Sequence, residues 1–178
     1  MDSYQTFDIQ TLHSIPEDKR TEEICYNAVK QDGNLLRFVP KEKRTYELCK
    51  IAVKHYPLAA RFIPHEVWTT NIAKLIINKY CYAVRFIPKH IWNDELARLA
   101  VSRDTEYMNF IPSNIRTQEI CDYAVSLDGR AISYVPKEQR TYEFCKSAII
   151  QFGYCINYVP KNILTEELVD LSKITSIF

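Results

Sequence analysis

The sequence predicts an all-α fold, an α-solenoid of seven 24-residue helix-turn-helix repeats, and three observations carry that prediction. Seven prolines, Pro16, Pro40, Pro64, Pro88, Pro112, Pro136 and Pro160, follow one another at intervals of 24 residues, and a fixed period of this length marks a repeat architecture. Five residues beyond them stand Thr21, Thr45, Thr69, Asn93, Thr117, Thr141 and Thr165, whose side-chain oxygens suit the first position of a helix. The chain holds only three glycines, far below the usual share of roughly 7%, which disfavours strands joined by tight hairpins.

Each repeat reads in the same order. Two residues after the cap, Glu23, Glu47, Glu95, Glu119, Glu143 and Glu167 put negative charge in the first turn, where the helix dipole favours it; only Asn71 departs. Apolar groups at helical spacing follow, such as Leu48, Cys49, Ile51, Ala52 and Val53, and form a buried face. The long helix is predicted to close at Gln31–Gly33 and Leu127–Gly129, with glycine in the left-handed conformation. The third repeat has Lys79, Tyr80 and Cys81 there, so its ending must be built differently.

A second segment then carries the aromatic column Phe38, Phe62, Phe86, Phe110, Tyr134 and Tyr158. The Val or Ile after each ring precedes proline, which disfavours further helix, so the segment is a helix of one or two turns ending in a proline turn. One such unit cannot bury its own apolar face, but stacked units can. Residues 1–178 are therefore read as a single domain, with 1–15 an N-terminal cap, 16–159 six full repeats and 160–178 a C-terminal capping repeat. In that last repeat Ser172 and Lys173 replace an Ala-Val pair, as suits a unit without an outer neighbour.

The pattern Pro-x-x-x-Arg-Thr-x-Glu-aliphatic-Cys-x-x-Ala-Val, with an aromatic and Val or Ile before the next proline, resembles a family of short two-helix repeats. They are known as domains of unknown function in bacterial and large-virus proteins. The resemblance spans residues 12 to 171 and is clearest in the first, second, fifth and sixth repeats. It implies a helical solenoid and brings no catalytic residues. The third and fourth repeats depart from it, with Trp68 and Trp92 in the Arg column and Ala73 and Ala97 in the Cys column.

Composition narrows the function classes. Apolar residues make up 47% and charged residues 25%, the profile of a folded chain. No stretch approaches the roughly 20 apolar residues of a membrane span, and no basic segment followed by an apolar run opens the chain. A cytoplasmic protein without membrane association is expected. Net charge is +1, divided as +4 over residues 1–89 and −3 over residues 90–178.

The residues able to do chemistry fall into structural columns. Cys25, Cys49, Cys121 and Cys145 share one buried phase, where cysteine serves as a small apolar residue. Equivalent residues of stacked helices sit roughly 10 Å apart, beyond the ~7 Å reach of a disulfide. No Cys-x-x-Cys pair or histidine at ligand spacing suggests a metal, and no cofactor is implied. His13, His55, His65 and His90 lie in different phases. Arg20, Arg44, Arg116 and Arg140 lie three residues before the Glu column and are expected to form ladders of surface ion pairs. A regular ladder does not converge as acid-base catalysis requires, so the chain is read as non-enzymatic.

Two departures from the period mark a candidate partner-binding surface. Trp68 and Trp92 occupy positions expected at the surface, where tryptophan serves as an interface anchor or as a lid over neighbouring helices. Arg37, Arg61 and Arg85 form a row that gives way to Asn109, Ser133 and Asn157. Tyr56, Tyr80 and Tyr82 cluster beside them. The expected function is a non-enzymatic protein-binding scaffold whose partner is another protein, with a phage- or virus-encoded inhibitor that sequesters a host protein as one form of it. The alternative is a nucleic-acid-binding solenoid, its arginines on phosphates and its rings on bases.

Overall fold

A computed structural model describes residues 12–79 and 82–176, and among these every regular element is helical, with no strand. Seven α-helices, α1 (Glu22–Gln31), α2 (Tyr46–His55), α3 (Thr70–Asn78), α4 (Asp94–Arg103), α5 (Gln118–Leu127), α6 (Tyr142–Gln151) and α7 (Glu166–Thr175), begin 24 residues apart. Each follows its expected cap: the side chains of Thr21, Thr45, Thr69, Asn93, Thr117, Thr141 and Thr165 all accept the backbone N–H three residues on. Such a cap contributes about 0.5–2 kcal/mol. Between successive α-helices lies a 3-10 helix of five or six residues, Gly33–Phe38, Pro57–Phe62, Tyr82–Phe86, Thr105–Phe110, Gly129–Tyr134 and Gly153–Tyr158, followed in the first five cases by a three-residue 3-10 turn after the proline.

The α-helices do not close through a left-handed glycine. Asp32, Tyr56, Asp104, Asp128 and Phe152 end them in extended backbone, each N–H still bonded to the carbonyl four residues back. Asp32, Asp104 and Asp128 at once cap the next 3-10 helix through a side-chain oxygen, 2.9 Å from the backbone N of Asn34, Glu106 and Arg130. Glycine is needed here for space. A Cβ on Gly33 would strike the Ala52 carbonyl oxygen of α2, and one on Gly129 would lie 2.8 Å from the Ala148 carbonyl oxygen of α6. α3 does end differently: Lys79 stays near helical backbone, at φ −86° and ψ 2°. Tyr80 and Cys81 lie outside the described residues.

The chain divides into two compact units, Met1–Ile91 and Trp92–Phe178. In the first, α1 packs on α2 and α2 on α3, while the short helices 33–38, 57–62 and 82–86 pack side by side against them. The second has the same plan, with α4 to α7 in one layer and the short helices 105–110, 129–134 and 153–158 in the other. The core between the layers is made of columns: Cys25, Cys49 and Ala73 in the first unit, Ala97, Cys121 and Cys145 in the second, all 0% exposed. Small residues there let neighbouring α-helices approach. Larger side chains from the α-helices and the short helices, such as Ile76, Leu36, Leu96, Met108 and Ile132, fill the remaining interior.

The Arg column behaves differently from the surface ladder its spacing suggests. Proline at position 40 lacks the N–H that would close on the Arg37 carbonyl, and Arg44 supplies the missing donor: its Nη2 lies 3.3 Å from that oxygen. Its Nε donates to the Val39 carbonyl at 2.8 Å and its Nη1 to the Phe62 carbonyl of the next short helix at 2.8 Å. Arg20, Arg116 and Arg140 repeat the clamp, bonding Ile15, Ile111 and Val135 within their own turn and Phe38, Tyr134 and Tyr158 in the following short helix. Each guanidinium thus binds orphaned carbonyls at one helix end and pins the following short helix of the same unit to it. The Glu column pairs elsewhere: Glu47 with Lys50, Glu119 with Arg98 and Glu167 with Lys146.

Trp68 and Trp92 take the arginine's place and are buried, 7% and 5% exposed, against the surface position expected for them. At these two positions of the column a buried apolar side chain stands where the sequence elsewhere has the clamp's arginine.

Removing the clamp should be felt directly. Arg44→Met keeps the aliphatic stem and leaves the Arg37, Val39 and Phe62 carbonyls without their guanidinium, so a loss of about 1.5–3 kcal/mol is expected, read as a lower urea midpoint. Trp92→Ala is expected to cost about 3–5 kcal/mol in the same assay.

Candidate binding groove on the short-helix face

In the first unit, Arg37, Arg61 and Arg85 stand at equivalent positions of three short helices that pack side by side, and all three are exposed. Each guanidinium lies over a ring of its own helix: Arg37 4.4 Å from the Phe38 centroid, Arg61 5.1 Å from Phe62 and Arg85 5.2 Å from Tyr82. Stacking of this kind restrains long side chains and leaves the guanidinium edge for a partner. Tyr56 and Tyr82 are 37% and 73% exposed on the same layer, so the structure does bring five of the expected partner-binding residues to one layer. Trp68 and Trp92 are not surface groups, and Tyr80 lies outside the described residues.

The second unit carries a groove on its short helices, with a volume of about 480 Å³. Helix 105–110 and its cap bring Asp104, Thr105 and Glu106 to one wall. The middle helix supplies Asp128, Arg130, Ser133 and Tyr134, and the last supplies Phe152, Tyr154, Asn157 and Tyr158. Phe152, Tyr154 and Tyr158 are 43%, 71% and 41% exposed. These three rings are neighbours in one depression, whereas the other exposed apolar groups of this unit, such as Leu127 and Ile150, do not line it.

The groove's charges are sorted by their hydrogen bonds. Arg130 grips Asp128 with Nη2 at 2.8 Å and Nε at 3.0 Å, and its guanidinium carbon lies 5.1 Å over the Phe152 ring. The pair holds the Asp128 carboxyl below its ordinary range and raises Arg130 above its own. Burial, and then the Glu106 and Asp104 carboxylates, push the Tyr134 hydroxyl up. The surroundings of that ring are therefore electronegative. A second depression of about 520 Å³, between α5 and α6, is lined chiefly by Gln118, Asp122, Ser126, Thr141, Glu143 and Ser147. It presents no exposed ring, because its Phe144 is 7% exposed.

This groove was not among the residues singled out in the sequence. The loss of arginine at Asn109, Ser133 and Asn157 reads there as the fading of a site, when two of these positions, Ser133 and Asn157, line an aromatic groove. The available signal was the joint appearance of Asp104, Glu106, Asp128 and Tyr154 just ahead of the aromatic column, in the half of the chain with net charge −3.

The described thiols are packing groups held in their protonated form by burial. Cys25, Cys49, Cys121, Cys145 and Cys155 are free and buried, and the sulfurs of the first three lie 3.6–3.8 Å from the carbonyl oxygens of Arg20, Arg44 and Arg116. Burial pushes Cys49 up to about 12 and Cys121 and Cys155 up to about 11. The His65 and His90 rings meet at 4.1 Å, both exposed, a neighbourhood their different phases did not announce. Among the described residues no three His, Cys, Asp or Glu side chains gather as a metal site, and no helix is long and apolar enough to cross a membrane.

Residues 21–68, from the α1 cap to Trp68, match the family model described as a domain of unknown function, DUF4116. The match lies wholly within the first unit and covers 48 of the 178 residues. No curated protein and no solved structure matches the chain.

The thiols make stability depend on alkaline pH. With folded pKa values of about 12 for Cys49 and about 11 for Cys121, against an ordinary value of 9.0, the folded chain keeps protons that the unfolded chain releases. That contribution is complete below about pH 9 and is lost as pH rises towards 11 to 12. The urea midpoint should fall between pH 7 and pH 10.5, and fall less in a Cys49→Ala/Cys121→Ala variant, alanine being native to this column at positions 73 and 97.

Proposed function

We propose that the protein is an α-solenoid of seven 24-residue repeats, working in the cytoplasm as a non-enzymatic scaffold that captures another protein on its short-helix face. The observation that carries this reading is the groove of the second unit, where Phe152, Tyr154 and Tyr158 stand 43%, 71% and 41% exposed around a volume of about 480 Å³. Half-exposed aromatic rings in a depression are the usual anchors of a protein interface. The common start of all seven α-helices at 24-residue intervals supports the repeat architecture, and stacked repeats offer one long surface to a partner. Non-enzymatic action is supported by the groove's chemistry: Asp104 and Asp128 are engaged in capping, and Asp128 is also locked to Arg130.

A second reading, nucleic-acid binding, draws on the row Arg37, Arg61 and Arg85, whose guanidinium groups are exposed and restrained by the rings beneath them. The net charge of +1 weighs against it, since affinity for phosphates is set largely by cationic charge.

Affinity capture from the native cell or its host, with the wild-type chain and a Tyr154→Ser/Tyr158→Ser variant side by side, tests the main reading. Loss of an interface anchor of this kind costs about 2 kcal/mol, roughly thirtyfold in affinity, so the captured protein should vanish from the variant while its helical circular dichroism is retained. Equal capture by the folded variant would move the site elsewhere. Anisotropy of a labelled single-stranded oligonucleotide at low salt separates the readings: binding abolished by Arg61→Glu/Arg85→Glu would favour nucleic acid.

A further inference from the structure

The short helices of the two units solve the same local problem with opposite chemistry. In the first unit the residue before the aromatic column is arginine, and the chain's own guanidinium covers the ring, Arg37 over Phe38 at 4.4 Å and Arg61 over Phe62 at 5.1 Å. In the second unit the same positions hold Asn109, Ser133 and Asn157, and that internal cation is gone. Phe152 and Tyr158 still receive one from elsewhere, Arg130 at 5.1 Å and Arg140 at 5.8 Å. Among the described residues no lysine or arginine lies over Tyr134 or Tyr154.

The uncovered Tyr134 ring lies near negative charge. Asp104 and Glu106 stand on the wall of the same groove, close enough to Tyr134 to disfavour its ionisation. Among the described residues neither forms an ion pair. The Asp128–Arg130 pair is neutral as a unit, which leaves two negative charges in the groove that also holds the half-buried Tyr134 and the exposed Tyr154. A ring face and a carboxylate lying in the plane of the stacked guanidinium are what it uses at once, stacking on one and forking hydrogen bonds to the other. Arg130 does both within this groove, on Phe152 and Asp128.

We propose that the groove of the second unit receives an arginine side chain from a segment of the captured protein, stacked on Tyr134 or Tyr154 and paired with Glu106 or Asp104. The inference rests on the protein-capture reading and names the chemistry of its partner: an arginine-bearing segment. The partner's guanidinium takes the place that Arg37 and Arg61 fill in the first unit. Ser133 and Asn157, which line the groove, then leave the place open for it, where an arginine would occupy it.

The test uses the isotope-labelled full chain titrated with three blocked tetrapeptides, of arginine, lysine and glutamate, and followed by amide shifts. Tetra-arginine should move the amides of Glu106, Arg130 to Tyr134 and Tyr154, and should bind more tightly than tetra-lysine. Tetra-glutamate should leave the groove unmoved. Glu106→Gln and Tyr154→Ser, each at an exposed side chain, should weaken tetra-arginine by roughly three- to tenfold. Silence toward tetra-arginine, equal affinity for lysine, shifts mapped to another surface, or full binding in both variants would overturn the proposal. If tetra-arginine is silent while Tyr154→Ser/Tyr158→Ser still abolishes partner capture, the arginine assignment fails and protein capture stands.

Discussion

The architecture hangs on a donor that proline removes and arginine restores. Each short helix runs into a Val-Pro or Ile-Pro step, so its last carbonyls meet a ring nitrogen that cannot donate. Unsatisfied, those oxygens would make every turn a weak point. The guanidinium of Arg20, Arg44, Arg116 or Arg140 turns back onto its own turn and at the same time reaches the terminal carbonyl of the next short helix. A charged donor with several N–H groups in a fixed plane can do this. One local deficit thereby becomes the link between consecutive short helices of the same unit.

That link frees other surfaces. Because the clamp and the small residues of the cysteine column fix the spacing of the α-helices, the outward side of the short helices has no structural task in common. It can be basic in the first unit, with Arg37, Arg61 and Arg85, and acidic and aromatic in the second, with Asp104, Glu106, Tyr134 and Tyr154. Where the clamp is absent, Trp68 and Trp92 show what replaces it. A tryptophan buried to 7% or 5% exposure supplies apolar area at a column position that elsewhere holds the clamp's arginine, and the helix start that follows is unchanged because Thr69 and Asn93 still cap it.

The thiols and glycines carry the same lesson about space. Cys49 and Cys121 are raised by burial in the narrow layer between helices, so they pack as protonated thiols. Gly33 and Gly129 sit where a short helix touches the carbonyl of the next α-helix, and their bareness serves contact, with ordinary backbone angles. In both cases the residue type is chosen by a neighbour that is 19 to 24 residues away in the chain.

Much of the fold was legible in the sequence because its causes are local. A threonine or asparagine can cap only the helix that follows it, a first-turn glutamate answers only its own dipole, and proline halts only its own segment, so periodic residues fixed where all seven α-helices begin. The arginines and glycines were read less well, since each acts on an atom of another helix. Spacing puts Arg44 near Glu47, yet its partners are the Arg37, Val39 and Phe62 carbonyls. The groove was hidden for the same reason: Glu106, Tyr134 and Tyr154 lie 28 and 20 residues apart, and only the packing of three short helices makes them one surface. The sequence by itself determined the elements, their caps and their order. The tertiary structure decided which side chains are buried, which carbonyls the arginines serve and which rings stay open, because those depend on distances between residues far apart in the chain.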